Sequence, residues 1–154
     1  MSSSPLPTPC IGTCSTVLGD RVCRGCRRYL HEVQAWNSYD EAIKARIWSR
    51  LESELEQVFA RHYRIIDAER LGQQRLLRPL AHTSLAYRAL DILRRQRQRP
   101  PAEIGLQALH PGTPLQVLEN CLAELYRLAQ AQYERAYRDG AGATFGMSSS
   151  KRVP

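Results

Sequence analysis

The chain has 154 residues, 43% of them hydrophobic, and its 22 basic and 15 acidic residues give a formal net charge of +7 at pH 7. This length suits one domain, or a small module with a helical appendage. No apolar run approaches the roughly 18 residues that a membrane span needs, so we expect no membrane partner. The chain is rich in arginine and contains only two lysines, Lys44 and Lys151.

The first residues, 1–8, are rich in Ser and Pro, which predicts a disordered lead-in. They contain no basic stretch followed by an apolar stretch, so nothing in them indicates export to an oxidising compartment. We therefore expect a cytoplasmic protein. Two disulfides among four cysteines would allow three connectivities, but this compartment argument disfavours them.

Four of the five cysteines lie within seventeen residues with the spacing C-x3-C-x8-C-x2-C; they are Cys10, Cys14, Cys23 and Cys26. Four thiolates on one short loop system can form a tetrahedral shell around a metal ion. Between Cys14 and Cys23, two short β-prone runs flank a Gly-Asp pair, which predicts a two-residue hairpin. We interpret residues 9–39 as a metal-binding module with these four cysteines as ligands.

Two glycines of this module lie between neighbouring cysteines. Gly25, inside the Cys23–Cys26 pair, can take a positive φ and turn backbone N–H groups toward the thiolate sulfurs, and Gly12 can do the same for the first pair. A module this small buries little apolar surface. Structural zinc contributes about 10–16 kcal/mol in comparable peptides, so the ion would be its core.

Zinc is the cofactor that we favour, because the tight turn between Cys23 and Cys26 suits a single tetrahedral ion. An iron–sulfur cluster is the alternative, since clusters also use four cysteines at varied spacings. A redox role for the Cys23/Cys26 pair is disfavoured because the βαβ context expected of such a motif is missing.

The cysteines are followed by Arg28, Glu32 and Trp36, and the combined pattern resembles the YdhL-like family of small bacterial proteins. That family is a domain of unknown function that is often labelled a predicted Fe–S protein. The resemblance covers about residues 8–51 and implies a four-cysteine site in a bacterial cytoplasmic setting, but no activity. We expect five residues to support the site or form the module core: Gly12, Gly25, Arg28, Glu32 and Trp36.

The rest of the chain predicts a mostly α fold, with the cysteine module (a β-hairpin plus a short helix) followed by about three to five helices in residues 40–139. The short helix follows from Leu30, Val33 and Trp36 at steps of three. A capping-box pattern at Ser38 and Glu41 predicts a long helix to about residue 61.

Further helices follow along the chain. Residues 62–66 are ambiguous and we favour helix, after which Asp67 can cap another helix. Pro79 breaks the pattern, and a helix is expected over residues 84–99, followed by a loop over 100–112. Thr113 then caps a last helix that ends at Asp139-Gly140, and residues 140–154 form a flexible tail. Trp48 and Cys121 are expected in the core.

No catalytic constellation is visible, because the four histidines are scattered without a triad pattern and a closed thiolate shell leaves the metal no open position. We therefore expect a non-catalytic metal-binding protein whose module contacts another macromolecule, preferably a protein. Nucleic-acid binding is the alternative, and electron or cluster transfer follows if the site holds iron and sulfide. The candidate binding surface consists of Arg24, Arg27, Arg94, Arg95, Arg97 and Arg99.

Overall fold

The structure is a computed structural model, which describes residues 5–76 and 84–137. These residues form five α-helices and one two-stranded antiparallel sheet. In chain order the elements are α1 (Leu30–Ala35), α2 (Glu41–His62), β1 (Tyr63–Ile65), α3 (Ala68–Gln73), α4 (Leu85–Arg95), β2 (Leu106–Ala108) and α5 (Pro114–Tyr137). The predicted mostly α fold class is confirmed. Across the described ranges no helix combines the length and apolarity that a membrane crossing requires.

Several predictions lie outside the described residues: the first half of the lead-in, the break at Pro79, the helix end at Asp139-Gly140 and the flexible tail over 140–154.

The long helix α2 is the central element of the core. It begins one residue after Asp40, whose Oδ1 accepts a hydrogen bond from the backbone N–H of Ile43 at 2.8 Å. The N-cap is therefore Asp40 and not the predicted Ser38, whose hydroxyl donates to the carbonyl of Ala35 instead. The apolar stripe of α2 is buried as predicted, with Trp48 in the core; its members include Ile47, Leu51, Leu55, Val58 and Phe59.

Helix α5 packs against α2 and closes the core. It begins as predicted, because Thr113 and Gln116 form reciprocal hydrogen bonds between side chain and backbone at the helix start. Its buried side chains are Val117, Leu118, Cys121, Leu125 and Ala129. Cys121 is therefore a core thiol, and burial raises its pKa to about 12.

The segment over residues 62–66 is where the helix prediction was wrong. Helix α2 ends at His62, and β1 pairs with β2 in the register Tyr63 to Ala108 and Ile65 to Leu106. Strand β2 lies inside the predicted loop over 100–112, after a 3₁₀ helix at Pro101–Ile104. Pairing with a segment forty residues away decides the conformation here, which local propensity cannot reveal.

The remaining helices follow the sequence closely. Asp67 caps α3 by accepting a hydrogen bond from the N–H of Arg70 at 2.9 Å, as predicted. Helix α4 begins after Ser84 but ends at Arg95, so that Arg97 and Arg99 lie beyond the helix and not in its last turn.

Gly105 joins the strand pair to α3 and provides the first test. We expect Gly105→Ala to lower the free energy of unfolding by about 2 kcal/mol or more, because its φ of +88° disfavours any side chain and a Cβ would lie 2.3 Å from the carbonyl oxygen of Asp67. Gly72→Ala in α3 is the control, since a Cβ there meets nothing within 4 Å and helix propensity predicts a gain of up to about 1 kcal/mol. Urea unfolding of both variants measures the difference, and equal effects would contradict the role of Gly105.

Candidate functional site

The chain around the cysteines reverses direction, but not by the predicted hairpin. Residues Ser15–Leu18 form a 3₁₀ helix that ends at Gly19 with a φ of +99°. The antiparallel bridge lies further along, between Val22 and Tyr29, and therefore encloses the second cysteine pair. The hairpin prediction was wrong in position because the four residues Ser15–Leu18 form a helical turn before the glycine.

The turn between Cys23 and Arg28 is held by backbone hydrogen bonds. The N–H of Cys23 donates to the carbonyl of Arg28 at 2.9 Å, and the N–H of Arg27 donates to the carbonyl of Cys23 at 2.8 Å. Arg27 has a φ of 66° and is the one non-glycine residue with a positive φ in the described chain. The left-handed position in this turn therefore belongs to Arg27 and not, as predicted, to Gly25.

The thiols of Cys23 and Cys26 are buried and contact each other. A hydrogen bond from the Cys26 side chain, together with backbone N–H groups of Cys26, Ser15 and Gly25, lowers the pKa of Cys23 to about 4 against the opposing effect of burial. The same contact with Cys23, and burial, raise the pKa of Cys26. The Nε of Arg28 donates to the Sγ of Cys26 at 3.3 Å. The turn thus stabilises one thiolate at neutral pH.

The loop that carries Cys10 and Cys14 packs against this turn. A Cβ at Gly25 would lie 2.8 Å from the Cγ1 of Ile11 and 2.9 Å from the carbonyl oxygen of Thr13, so only glycine allows the two loops to approach this closely. The role of Gly25 is therefore close packing. Gly12 behaves as predicted, with a φ of +95° and its N–H 3.4 Å from the Sγ of Cys10.

No disulfide joins any of the five cysteines, all of which lie in the described ranges. Within residues 5–76 and 84–137, no three Cys, His, Asp or Glu side chains are arranged so that they could hold a metal ion. The Sγ of Cys14 instead lies 2.9 Å from the hydroxyl of Thr16. Cys23 and Cys26 could supply two sulfur ligands to a metal ion. The complete set of four cysteine ligands stays a prediction.

The other predicted residues of the module form its core. The guanidinium of Arg28 lies over the ring of buried Trp36, 4.9 Å from its centroid. Glu32 accepts the backbone N–H of Tyr29 at 2.8 Å and two hydrogen bonds from Arg50 at 2.7 Å. These contacts fix α1 against α2 below the cysteine turn.

Arg27 connects the cysteine turn to the helical region. Its side chain is 2% exposed, and its Nη1 donates to the Oε2 of Glu54 at 2.7 Å and to the carbonyl of Leu51 at 2.9 Å. Arg27 is therefore excluded from any exposed binding surface. Glu54, at 1% exposure, does not belong to the solvated face of α2. Glu54 lies three residues after Leu51 and four before Val58, which places it on the apolar stripe of α2. This spacing could have predicted that Glu54 is buried.

Three of the remaining arginines line the same cleft as Arg24. This cleft lies beside Gly25, and it is lined by Arg24 from the cysteine turn, Arg94 and Arg95 from the end of α4, and Arg97 just beyond that helix. Arg99 lies apart from this cleft, because its guanidinium bonds Glu103 and Gln74.

The helical region also contacts the cysteine module directly. Arg94 donates to the carbonyl of Gly25 at 3.0 Å, and the hydroxyl of Tyr126 donates to the carbonyl of Val22 at 3.3 Å. The ring centroids of Tyr29 and Tyr133 are 5.0 Å apart. The module and helices α2, α4 and α5 therefore share side-chain contacts, a point that the sequence left open.

A comparison with protein families matches residues 8–55 to a family described as "Protein of unknown function (DUF1289)". The match contains the four neighbouring cysteines, α1 and the first two thirds of α2, and it ends just after Glu54. No curated protein and no solved structure matches the chain. The family match supports a domain of unknown function at the position of the predicted module.

The Arg27–Glu54 pair makes a direct prediction about stability. We expect Arg27→Met to lower the free energy of unfolding by about 3 kcal/mol, because it leaves the buried Glu54 carboxylate with only its longer ion pair to Arg50, at 3.4 Å. Arg70→Met is the control, since the ion pair of Arg70 with Asp67 is exposed and worth less than about 1 kcal/mol. Denaturant unfolding measures both values. A loss for Arg27→Met no larger than that for the control would show that the pair does not hold the turn.

The thiolate of Cys23 can be observed by ultraviolet absorbance of the reduced, metal-free chain. Since the pKa of Cys23 is lowered to about 4, one thiolate per chain should persist at about pH 6, well below the ordinary cysteine pKa of about 8.5. Its stabilising contribution is fully present above pH 8.5 or so and is lost as the pH falls toward 4. Cys23→Ser should abolish this absorbance while Cys121→Ala retains it; a signal unchanged in Cys23→Ser would contradict the assignment.

Proposed function

We propose that Cys10, Cys14, Cys23 and Cys26 bind one zinc ion, and that this ion is a structural component of a non-catalytic interaction module. The observation that carries the proposal is the Cys23–Cys26 turn, in which two buried thiols meet among backbone N–H donors. Such N–H groups moderate the negative charge that thiolate ligands concentrate around a metal.

Two further features support the proposal. The loop of Cys10 and Cys14 is held against the turn through the close approach at Gly25. The guanidinium of Arg28 also donates a hydrogen bond to the Sγ of Cys26. A positive charge therefore lies beside this sulfur, as expected for a thiolate ligand. When bound, zinc would hold the two loops together and so contribute folding free energy to the segment.

Zinc is preferred to an iron–sulfur cluster because a closed set of four cysteines on two tight loops suits a single tetrahedral ion. A cluster remains the second candidate cofactor, since four cysteine ligands would serve it equally, and it would make electron or cluster transfer the function. With four protein ligands, zinc would have no open position for a substrate, so we infer that the module is not an enzyme.

Contact with a protein partner is the function that we propose for the module's outer loop. Val17 and Leu18, neighbours in the 3₁₀ helix between the cysteine pairs, are 80% and 85% exposed. Two adjacent exposed apolar side chains supply the kind of surface that proteins bury on association.

Elemental analysis and a visible absorption spectrum of protein purified without oxygen test the metal. We expect one zinc per chain and no colour, complete loss of zinc in the Cys23→Ser/Cys26→Ser variant, and unchanged zinc in Cys121→Ala, whose thiol lies in the core.

Three results would contradict the zinc site. Equal metal content in the wild type and the double variant would remove these cysteines as ligands. Iron with acid-labile sulfide would replace zinc by a cluster. A metal-free chain that loses two hydrogen atoms by mass on mild oxidation, when the Cys23→Ser/Cys26→Ser variant does not, would identify Cys23 and Cys26 as a redox dithiol.

A further inference from the structure

Three adjoining depressions lie between the cysteine loops and the helices α4 and α5, and neighbouring ones share lining residues. The first, about 590 Å³, lies between Asp20–Val22 and the C-terminal half of α5. It shares Tyr126 and Gln130 with the second, which in turn shares Arg24 and Leu122 with the third, the cleft of about 630 Å³ at the end of α4. We call this surface the α5 groove.

Arginines from three separate segments line the α5 groove. Six arginines and three carboxylates line it. The arginines are Arg21 and Arg24 from the cysteine loops, Arg94 and Arg95 from the end of α4 with Arg97 just beyond it, and Arg127 from α5; the carboxylates are Asp20, Asp91 and Glu134. The groove therefore carries an excess of positive charge, and its occupant should be an anion.

Tyrosines line the end of the groove that lies away from most of this charge. Four of the six arginines line the third depression, whereas the first depression has Arg21 beside Asp20 and Glu134. Tyr126, Tyr133 and Tyr137 follow one another along the same side of α5 and line the groove wall. The guanidinium of Arg24 lies 4.7 Å from the centroid of the Tyr126 ring. The Tyr133 and Tyr137 rings are 5.0 Å apart and tilted by 33°. The aromatic and cationic parts of the groove meet at Tyr126, which shares the middle depression with Arg24 and Arg127.

We propose that the α5 groove binds a single-stranded nucleic acid. Guanidinium groups pair with phosphates, and aromatic rings stack on unpaired bases; a groove that combines both along a line matches single strands of any sequence. A duplex hides its base faces from such rings. An acidic peptide would pair with the arginines, but its carboxylates would not stack on the tyrosine rings.

The nucleic-acid proposal is independent of the proposed zinc site. No cysteine lines the groove, and most of its arginines and all of its tyrosines lie outside residues 8–55, which carry the family match. The groove therefore belongs to the combination of the module with this particular helical region. Loss of zinc binding would leave the prediction below unchanged for a chain that remains folded.

Fluorescence anisotropy with labelled oligouridine and oligothymidine of about 12 nucleotides, a length within the range of known single-strand sites, tests the proposal on the full chain. We expect binding at low salt that weakens steeply between about 50 and 200 mM salt. Arg97→Glu/Arg127→Glu should weaken binding at least tenfold and reduce the salt slope by about two. The matched control, Arg64→Glu/Arg75→Glu, changes the net charge equally at exposed positions outside the groove and should have a much smaller effect.

A second pair of variants isolates stacking from charge. Tyr126→Phe and Tyr126→Leu both lose the hydrogen bond to Val22, but only the leucine variant loses the ring. We expect near-normal binding for Tyr126→Phe and about tenfold weaker binding for Tyr126→Leu. Tighter binding of oligouridine would indicate RNA as the natural ligand, and tighter binding of oligothymidine would indicate DNA.

Several outcomes would overturn the proposal. They are no binding at low salt, equal loss in the groove and control variants, equal binding of Tyr126→Phe and Tyr126→Leu, binding of duplex as tightly as single strand, and competition by polyglutamate as effective as that by the oligonucleotide. Thermal unfolding of each variant distinguishes a loss of binding from a loss of fold.

Discussion

The buried ion pair between Arg27 and Glu54 is the constraint on which the arrangement of this protein depends. Its two charges are almost completely removed from water and lie 2.7 Å apart. Charges buried in this way are tolerated only when they are paired, so the cysteine turn can occupy just one position against α2. Burial raises the pKa of Glu54, with Arg27 and Arg50 opposing the rise, which is the balance expected of a buried carboxylate held by cations.

Arg27 also belongs to the cysteine turn itself. The residue whose side chain reaches Glu54 has a left-handed backbone conformation at φ 66°, which is unusual for a residue other than glycine. That conformation closes the turn in which the thiols of Cys23 and Cys26 meet and in which backbone N–H groups face the Cys23 sulfur. Arg27 thus couples the proposed metal site to the helical core, together with the contacts that Arg94 and Tyr126 make with the module. The α5 groove depends on the same coupling, because it exists only where the cysteine loops lie beside α5.

Local patterns in the sequence predicted much of the fold. The apolar stripe of α2 and the capping residues Asp67 and Thr113 each involve neighbours within one or two helical turns, and all three predictions are confirmed. Strand β1 could not be predicted in this way, because its partner Leu106–Ala108 is distant in sequence and lay in a stretch that reads as a loop. The position of the cysteine turn was similarly misjudged, since Gly19 ends a 3₁₀ helix and does not begin a hairpin.

For the site, sequence indicated the residue types better than their roles. Two of the four cysteines that the spacing grouped together, Cys23 and Cys26, meet in the structure, and Arg28, which we expected to support the site, lies beside Cys26. We predicted that Arg27 would be exposed, because no residue near it in the sequence indicates an ion-pair partner on another helix. In the structure it is buried. The groove was also hidden from sequence reasoning, since its arginines come from segments some seventy residues apart that only the tertiary fold brings together.

X-ray absorption spectroscopy at the zinc edge, on protein isolated with its native metal, tests the central claim most directly. The account predicts a first shell of four sulfur atoms at about 2.3 Å. A shell with only two sulfur atoms, completed by nitrogen or oxygen, would show that Cys10 and Cys14 are not ligands and would contradict the four-cysteine site.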